Sequence, residues 1–318
     1  MMQIVLIGLG AGTASALLFA SVASGATASM LLLLLAPLPI LIVALGWSHW
    51  AGLIAAATGA ACLAVAGVEF LAAFLFGVGF PAWWLGYLTM LARPAPSPDG
   101  PEWYPIGRLV VWAAGIYALM VGALLLSFGT NLASLQSALH TVLDTRLDEV
   151  AGEHLDPDDA ARLVDMLVMF VPAAAAASLT LFTVFDVWLA GWIVKISGRL
   201  QRPWPRLSDM RFPSFAPAIL GAAVAGSFLP DLLGIAVSAL AASMMMAHVL
   251  LGLAVIHATT VGLSGRGFIL GSVYGAIVVF GWPIRWPLLL IALIGVSDAL
   301  FDLRGHIARR RNPPVAPT

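Results

Sequence analysis

The chain has 318 residues, of which 61% are hydrophobic and 10% charged, with a net charge of −1. Among the first 92 residues only Glu69 carries a charge at neutral pH, and Arg93 is the first cation. A soluble domain needs charge on its water-facing surface, so this composition excludes one and indicates an all-α, polytopic transmembrane helix bundle.

Ile4 to Ala23 reads as a first span, closed by a turn at Ser24-Gly25-Ala26-Thr27. Leu31 to Gly46 is a second; its Pro37 and Pro39 are tolerable where neighbouring helices satisfy the freed backbone groups. Ala51 to Phe80 is too long for one span, and its glycines suggest a break near Gly67 that gives spans Ala51 to Ala66 and Val68 to Leu91. The connector from Arg93 to Pro101 holds four prolines and cannot be helical. Ile106 to Thr130 is the next span. From Asn131 to Val150, Leu132, Leu135, Leu139, Leu143, Leu147 and Val150 recur every three or four residues between polar ones. That spacing predicts an amphipathic helix, lying on the membrane or packed on the bundle.

Asp156-Pro157-Asp158-Asp159 has the composition of a helix start: an acidic N-cap, proline at the first position and acids in the first turn. A helix from there to Lys195 would be roughly 58 Å long at 1.5 Å per residue, longer than a bilayer is thick. Its first turns should stand in water, with a kink at Pro172. Four apolar segments follow a basic loop: Pro213 to Phe228, Asp231 to Leu263, Gly267 to Phe280 and Trp286 to Leu303. About ten spans are expected, with eight or nine as alternatives. The proline-rich end after Arg309-Arg310-Arg311 should be disordered.

Charge segregation sets the expected topology. Lys195 to Arg211 carries five cations against one acid, and Arg304 to Arg311 carries four cations and no acid. Both belong on the cytoplasmic face of a bacterial inner membrane, which makes the C-terminus cytoplasmic. Asp144 to Asp165, with eight acids and two arginines, belongs opposite. Tryptophan and tyrosine pairs near run ends (Trp47 and Trp50, Trp83 and Trp84, Trp103 and Tyr104, Trp282 and Trp286) fit an interfacial belt. Met1-Met2-Gln3 supplies no basic n-region, so a cleaved signal peptide is not expected. The single cysteine, Cys62, rules out an internal disulfide and a cysteine-based metal site.

Four short stretches carry a family resemblance. They are Glu102-Trp103-Tyr104-Pro105-Ile106-Gly107-Arg108, then Leu189 to Leu200 leading into Arg202-Pro203-Trp204-Pro205, then Arg211-Phe212-Pro213, and finally Gly295 to Arg304. In this order the set resembles the YybS-like family of uncharacterised bacterial membrane proteins, in its alphaproteobacterial branch. That family is distantly similar to the substrate-binding S components of energy-coupling-factor transporters. The resemblance implies a six-span S-component-like core over residues 1–195, including the acidic extracytoplasmic segment 131–160. A basic cytoplasmic loop at 196–212, a four-span region at 213–303 and a basic, proline-rich tail at 304–318 would follow. No substrate-binding motif of a known S component is present, so no ligand residues carry over.

Ionisable residues within apolar runs are the candidates for polar or ligand-facing roles: Asp186, Asp298, Glu69, His248 and His257, with Asp231 beside them. A mid-bilayer Asp costs roughly 2.5–3.5 kcal/mol on insertion scales, so each needs a partner or a purpose. Asp186 lies roughly 13 Å from Lys195 along a helix, and Asp298 roughly 9 Å from Arg304. Pairing with the arginines below them or capping local backbone is the structural alternative for the acids. Asp231 follows Leu229-Pro230 and reads as an N-cap. Glu69 is a cap or a cavity acid. His248 and His257, nine apart, sit on opposite helix faces and cannot share one metal. Gly8, Gly12 and Ala16, and likewise Gly267, Gly271 and Gly275, recur every four residues and are expected to pack helices closely, within the chain or against a partner. The arginine runs read as topology anchors, with anionic-lipid attraction of about 1 kcal/mol per cation secondary.

No phosphate-binding loop, His-Glu-x-x-His motif or Gly-x-Ser-x-Gly elbow occurs in the sequence. No catalytic residue, metal site, cofactor or nucleic-acid partner is therefore expected. The leading expectation is a membrane protein that binds or takes up a small molecule with the help of an energising partner protein. The alternative is an assembly factor working through helix faces and the extracytoplasmic segment; an intramembrane enzyme is the third.

Overall fold

The computed structural model describes residues 1–94, 100–129, 131–150, 157–280 and 286–311. The middle of the proline connector, the Asp156 cap, Trp282 and the end of the tail lie outside the described residues. The chain forms two compact units: residues 1–113 with 181–212, and residues 114–180 with 213–318. The boundaries fall inside two helices, α7 (Ile106–Ser127) and α9 (Pro157–Ile196).

In the first unit, α1 (Met2–Ala20) lies along α4 (His49–Ala64) because Gly8 and Gly12 leave room for it. A Cβ at Gly8 would stand 2.7 Å from the Ile54 side chain, and one at Gly12 would strike the Ala55 carbonyl. Ser15 Oγ ties α1 to the Ala36 carbonyl at 2.6 Å, in the turn between α2 (Thr27–Leu34) and α3 (Leu38–Gly46). The predicted break falls where expected. Gly67, at φ +143°, separates α4 from α5 (Val68–Phe74), a conformation that L side chains resist. A π-helical turn (Leu75–Gly79) then joins α5 to α6 (Phe80–Thr89). Pro81 has no N–H for an α-helical bond to Gly77, and the wider turn falls where that bond is missing.

A two-residue hairpin, β1 (Ala92–Arg93) with β2 (Glu102–Trp103), is pinned by an Arg93–Glu102 salt bridge of 2.7 Å. The start of α7, the end of α9 and the following loop complete the unit. Its core holds Ile40, Leu41, Ala55, Phe74, Ala82, Ala190 and Val194, all buried.

In the second unit, the first turns of α8 (Leu132–Val150) pack on neighbouring helices, as the bundle placement requires. Leu135 is buried with Val164, Val168 and Leu232, and Gln136 Nε2 donates to Asp165 Oδ1 at 2.8 Å. Helices α10 (Ala216–Gly226), α11 (Asp231–Thr259), α12 (Arg266–Phe280) and α13 (Trp286–Phe301) follow, and α14 (Leu303–Arg311) ends the described chain.

All ten predicted apolar segments are helical, but the expected count of about ten spans is not confirmed. Among the described residues six helices are long and apolar enough to cross a membrane: 2–24, 28–46, 68–89, 106–127, 161–196 and 231–259. A seventh candidate, α13 with α14, is bent by 76°. The three remaining segments, α4, α10 and α12, have 16, 11 and 15 residues. At 1.5 Å per residue these fall short of a hydrocarbon core about 30 Å thick. The protein is thus a helical, multi-pass membrane protein.

Candidate functional site

The face of α9 carrying Thr183, Asp186, Ala190 and Val194 is buried, while Phe182, Phe185 and Trp192 on the other side are exposed. Asp186 is 1% exposed, and its Oδ2 has no hydrogen-bond partner among the described residues. Lys195, the cation nearest to it in sequence, instead sits 4.8 Å over the Trp204 ring. Three indole N–H groups of the same unit, those of Trp47, Trp83 and Trp84, are likewise buried without an acceptor among the described residues. Buried polar groups are paired in the great majority of cases, so this unit holds an unusual surplus of polar valence.

Near the basic loop of the same unit lies a cavity of about 80 Å³. Leu85, Leu109, Val184 and Trp188 are among its mostly apolar walls, and Arg202 is the one charged residue among the described residues lining it. Arg202 is 9% exposed, and its Nη1 donates to the Thr89 carbonyl at 3.0 Å. No carboxylate pairs with it among the described residues. Burial lowers its pKa below the usual arginine value. Asp186 does not line this cavity, which takes the face of α9 bearing Val184, Val187, Trp188 and Gly191.

The remaining sequence candidates separate from these features. Asp298 takes the pairing role: its Oδ2 accepts from Arg304 Nη2 at 2.7 Å and Nε at 3.1 Å, and its Oδ1 from the Arg304 amide at 3.0 Å. Glu69 stands exposed in the first turn of α5, where an acid suits the helix dipole. His248 is fully buried, with Nδ1 2.8 Å from the Met244 carbonyl. His257 Nε2 lies 2.9 Å from the Tyr274 hydroxyl, so the two histidines have separate surroundings. Asp231 corrects its predicted role. It adopts φ +63°, and its Oδ1 accepts from the Leu132 amide at 2.7 Å, so it caps α8 rather than its own helix. Gly8 and Gly12 pack helices as expected. At Gly267, Gly271 and Gly275 an added Cβ would meet nothing within 4 Å, so that series packs against no described residue.

Arg202 is the residue that sequence reasoning missed, grouped as it was with the topology anchors. The available signal was its place in Arg202-Pro203-Trp204-Pro205. Three of the four resemblance stretches contribute to the first unit, and two of them touch: a Cβ at Gly107 would strike the Arg211 carbonyl. Ile106, Gly191, Leu200, Trp204 and Pro205 from these stretches line the Arg202 cavity. Compared with known protein families, curated proteins and solved structures, the chain matches none of them.

Proposed function

We propose that this membrane protein binds a small molecule within its first unit and serves its uptake, in the manner of a transporter S component that relies on an external energy source. The carrying observation is Asp186, a buried carboxylate with one oxygen unpartnered among the described residues. An ionisable group inside a membrane segment marks a ligand or ion pathway unless a protein partner neutralises it. Membership of the YybS-like family belongs to the same proposal and rests on the four sequence stretches.

Asp186→Asn keeps the side chain's shape while removing its charge. The variant should insert at wild-type abundance, melt at the wild-type temperature and lose ligand binding by at least tenfold. A variant that keeps full binding, or one absent from the membrane, returns Asp186 to a structural role.

We further propose that the protein lies in the bacterial inner membrane with its C-terminus in the cytoplasm. The charge pattern supports this where an even number of segments separates the basic stretches, as with the four predicted segments or with α11 and the bent α13–α14 pair; α11 alone would put the two stretches on opposite faces. Cysteines introduced at Ser197 and Arg310 should label only from the cytoplasm, and one at Asp158 only from outside. Labelling of Asp158 and Ser197 from the same side contradicts the topology.

The assembly-factor reading keeps one observation in its favour. The Gly267, Gly271 and Gly275 face of α12 is open, and Phe268 on the same helix is 82% exposed.

A further inference from the structure

Arg202 combines burial with a charge that no described residue compensates. Its one hydrogen bond among the described residues goes to a neutral backbone carbonyl, and a guanidinium carries five N–H donors. A buried cation left with one neutral acceptor is costly, so the arrangement favours an anion from outside the chain. Arg199 stands 4.6 Å over the Trp47 ring and Lys195 over Trp204, which adds two cations to the same loop region.

The rest of the cavity has the opposite character. Among the described residues its walls are apolar apart from Arg202 and Thr89, with the Trp188 and Trp204 rings among them. At about 80 Å³ it is several times larger than the roughly 10–15 Å³ that one water needs. An apolar space of this kind is filled favourably by hydrocarbon. A single occupant that meets both demands has an acyl chain and an anionic head.

We propose that this cavity is a binding site for an anionic phospholipid, with part of an acyl chain between Leu85, Leu109, Val184 and Trp188 and the phosphate on the Arg202 guanidinium. A phosphate diester supplies the charge that the described residues do not, and its two oxygens match the planar fork of an arginine. The site lies in the loop that the positive-inside pattern assigns to the leaflet rich in anionic lipid. It is independent of the Asp186 reading, because Asp186 does not line the cavity.

The test is native mass spectrometry of the full chain in mild detergent, delipidated and then titrated separately with dioleoyl phosphatidylglycerol, dioleoyl phosphatidylcholine and oleate. Wild type should retain one phosphatidylglycerol with at least tenfold preference over phosphatidylcholine. Arg202→Gln should erase that preference, whereas Arg206→Gln, an exposed residue that does not line the cavity, should leave it within about twofold. Val184→Phe fills the cavity while keeping Arg202, and should lower retention of both phospholipids. Equal retention of the two phospholipids by wild type overturns the proposal. So does a preference that survives Arg202→Gln, or one that falls equally in Arg206→Gln, which would mark general surface attraction. Retention of oleate in place of phosphatidylglycerol overturns the assignment to a phospholipid.

Discussion

Gly295→Ala is expected to be among the most damaging single methyl additions in the second unit. A Cβ at Gly295 would strike the His248 carbonyl and come 2.9 Å from the Gly252 amide nitrogen. A Cβ at Gly252 would in turn strike the Ile291 carbonyl. These are backbone atoms of the facing helix, which no rotamer change can move, so α11 and α13 must part along a contact that buries Val249, Ile291 and Ala292. Overpacking of a tight core costs about 1–3 kcal/mol, and a backbone collision should lie at or beyond the top of that range. A thermal melt in detergent should show a clear drop for Gly295→Ala and for Gly252→Ala. The double variant should lose less than the sum, because one separation of the helices relieves both clashes. Gly271→Ala, where nothing lies within 4 Å, should leave the melt unchanged or slightly raised. Equal effects at Gly271 and Gly295 would contradict the packing described for α11 and α13.

Arg304→Met should destabilise the same unit by about 3–5 kcal/mol, the loss expected when one member of a buried ion pair is removed. Arg304 and Asp298 side chains are 8% and 3% exposed and meet at 2.7 Å, so removing the arginine strands a buried carboxylate. The pair also holds the bend between α13 and α14. Asp302 turns the chain there at φ +48°, and Asp298 Oδ1 accepts the residue-304 amide just past the turn. Adding Asp298→Asn to Arg304→Met should restore most of the lost stability, since Asn keeps the Oδ1 acceptor and leaves no charge unpaired. A melt that is unchanged in Arg304→Met, or a double variant no better than the single, contradicts this account of the pair.

Helix positions were legible in the sequence because apolar runs and breakers are local signals. Gly67 and the start of α9 at Pro157 fall as predicted. Span number is not settled by composition, which does not tell whether a short apolar helix such as α10 crosses the bilayer. The close-packing glycines were only half legible. A spacing of four found Gly8 and Gly12, but Gly252 and Gly295 belong to no such series and lie on different helices, and only their juxtaposition reveals them. Asp298 carried two readings, and its partner six residues on was visible as one of them. Arg202 was hidden because charge counting treats each arginine of a basic loop alike, while burial singles out one.

The most direct measurement of the central claim is a native mass spectrum of the wild-type protein purified in mild detergent, compared with Asp186→Asn. The account predicts a stoichiometric, non-lipid small molecule on the wild type that is missing from the variant. A wild-type spectrum with no such mass, or with a co-purifying protein in its place, would contradict it.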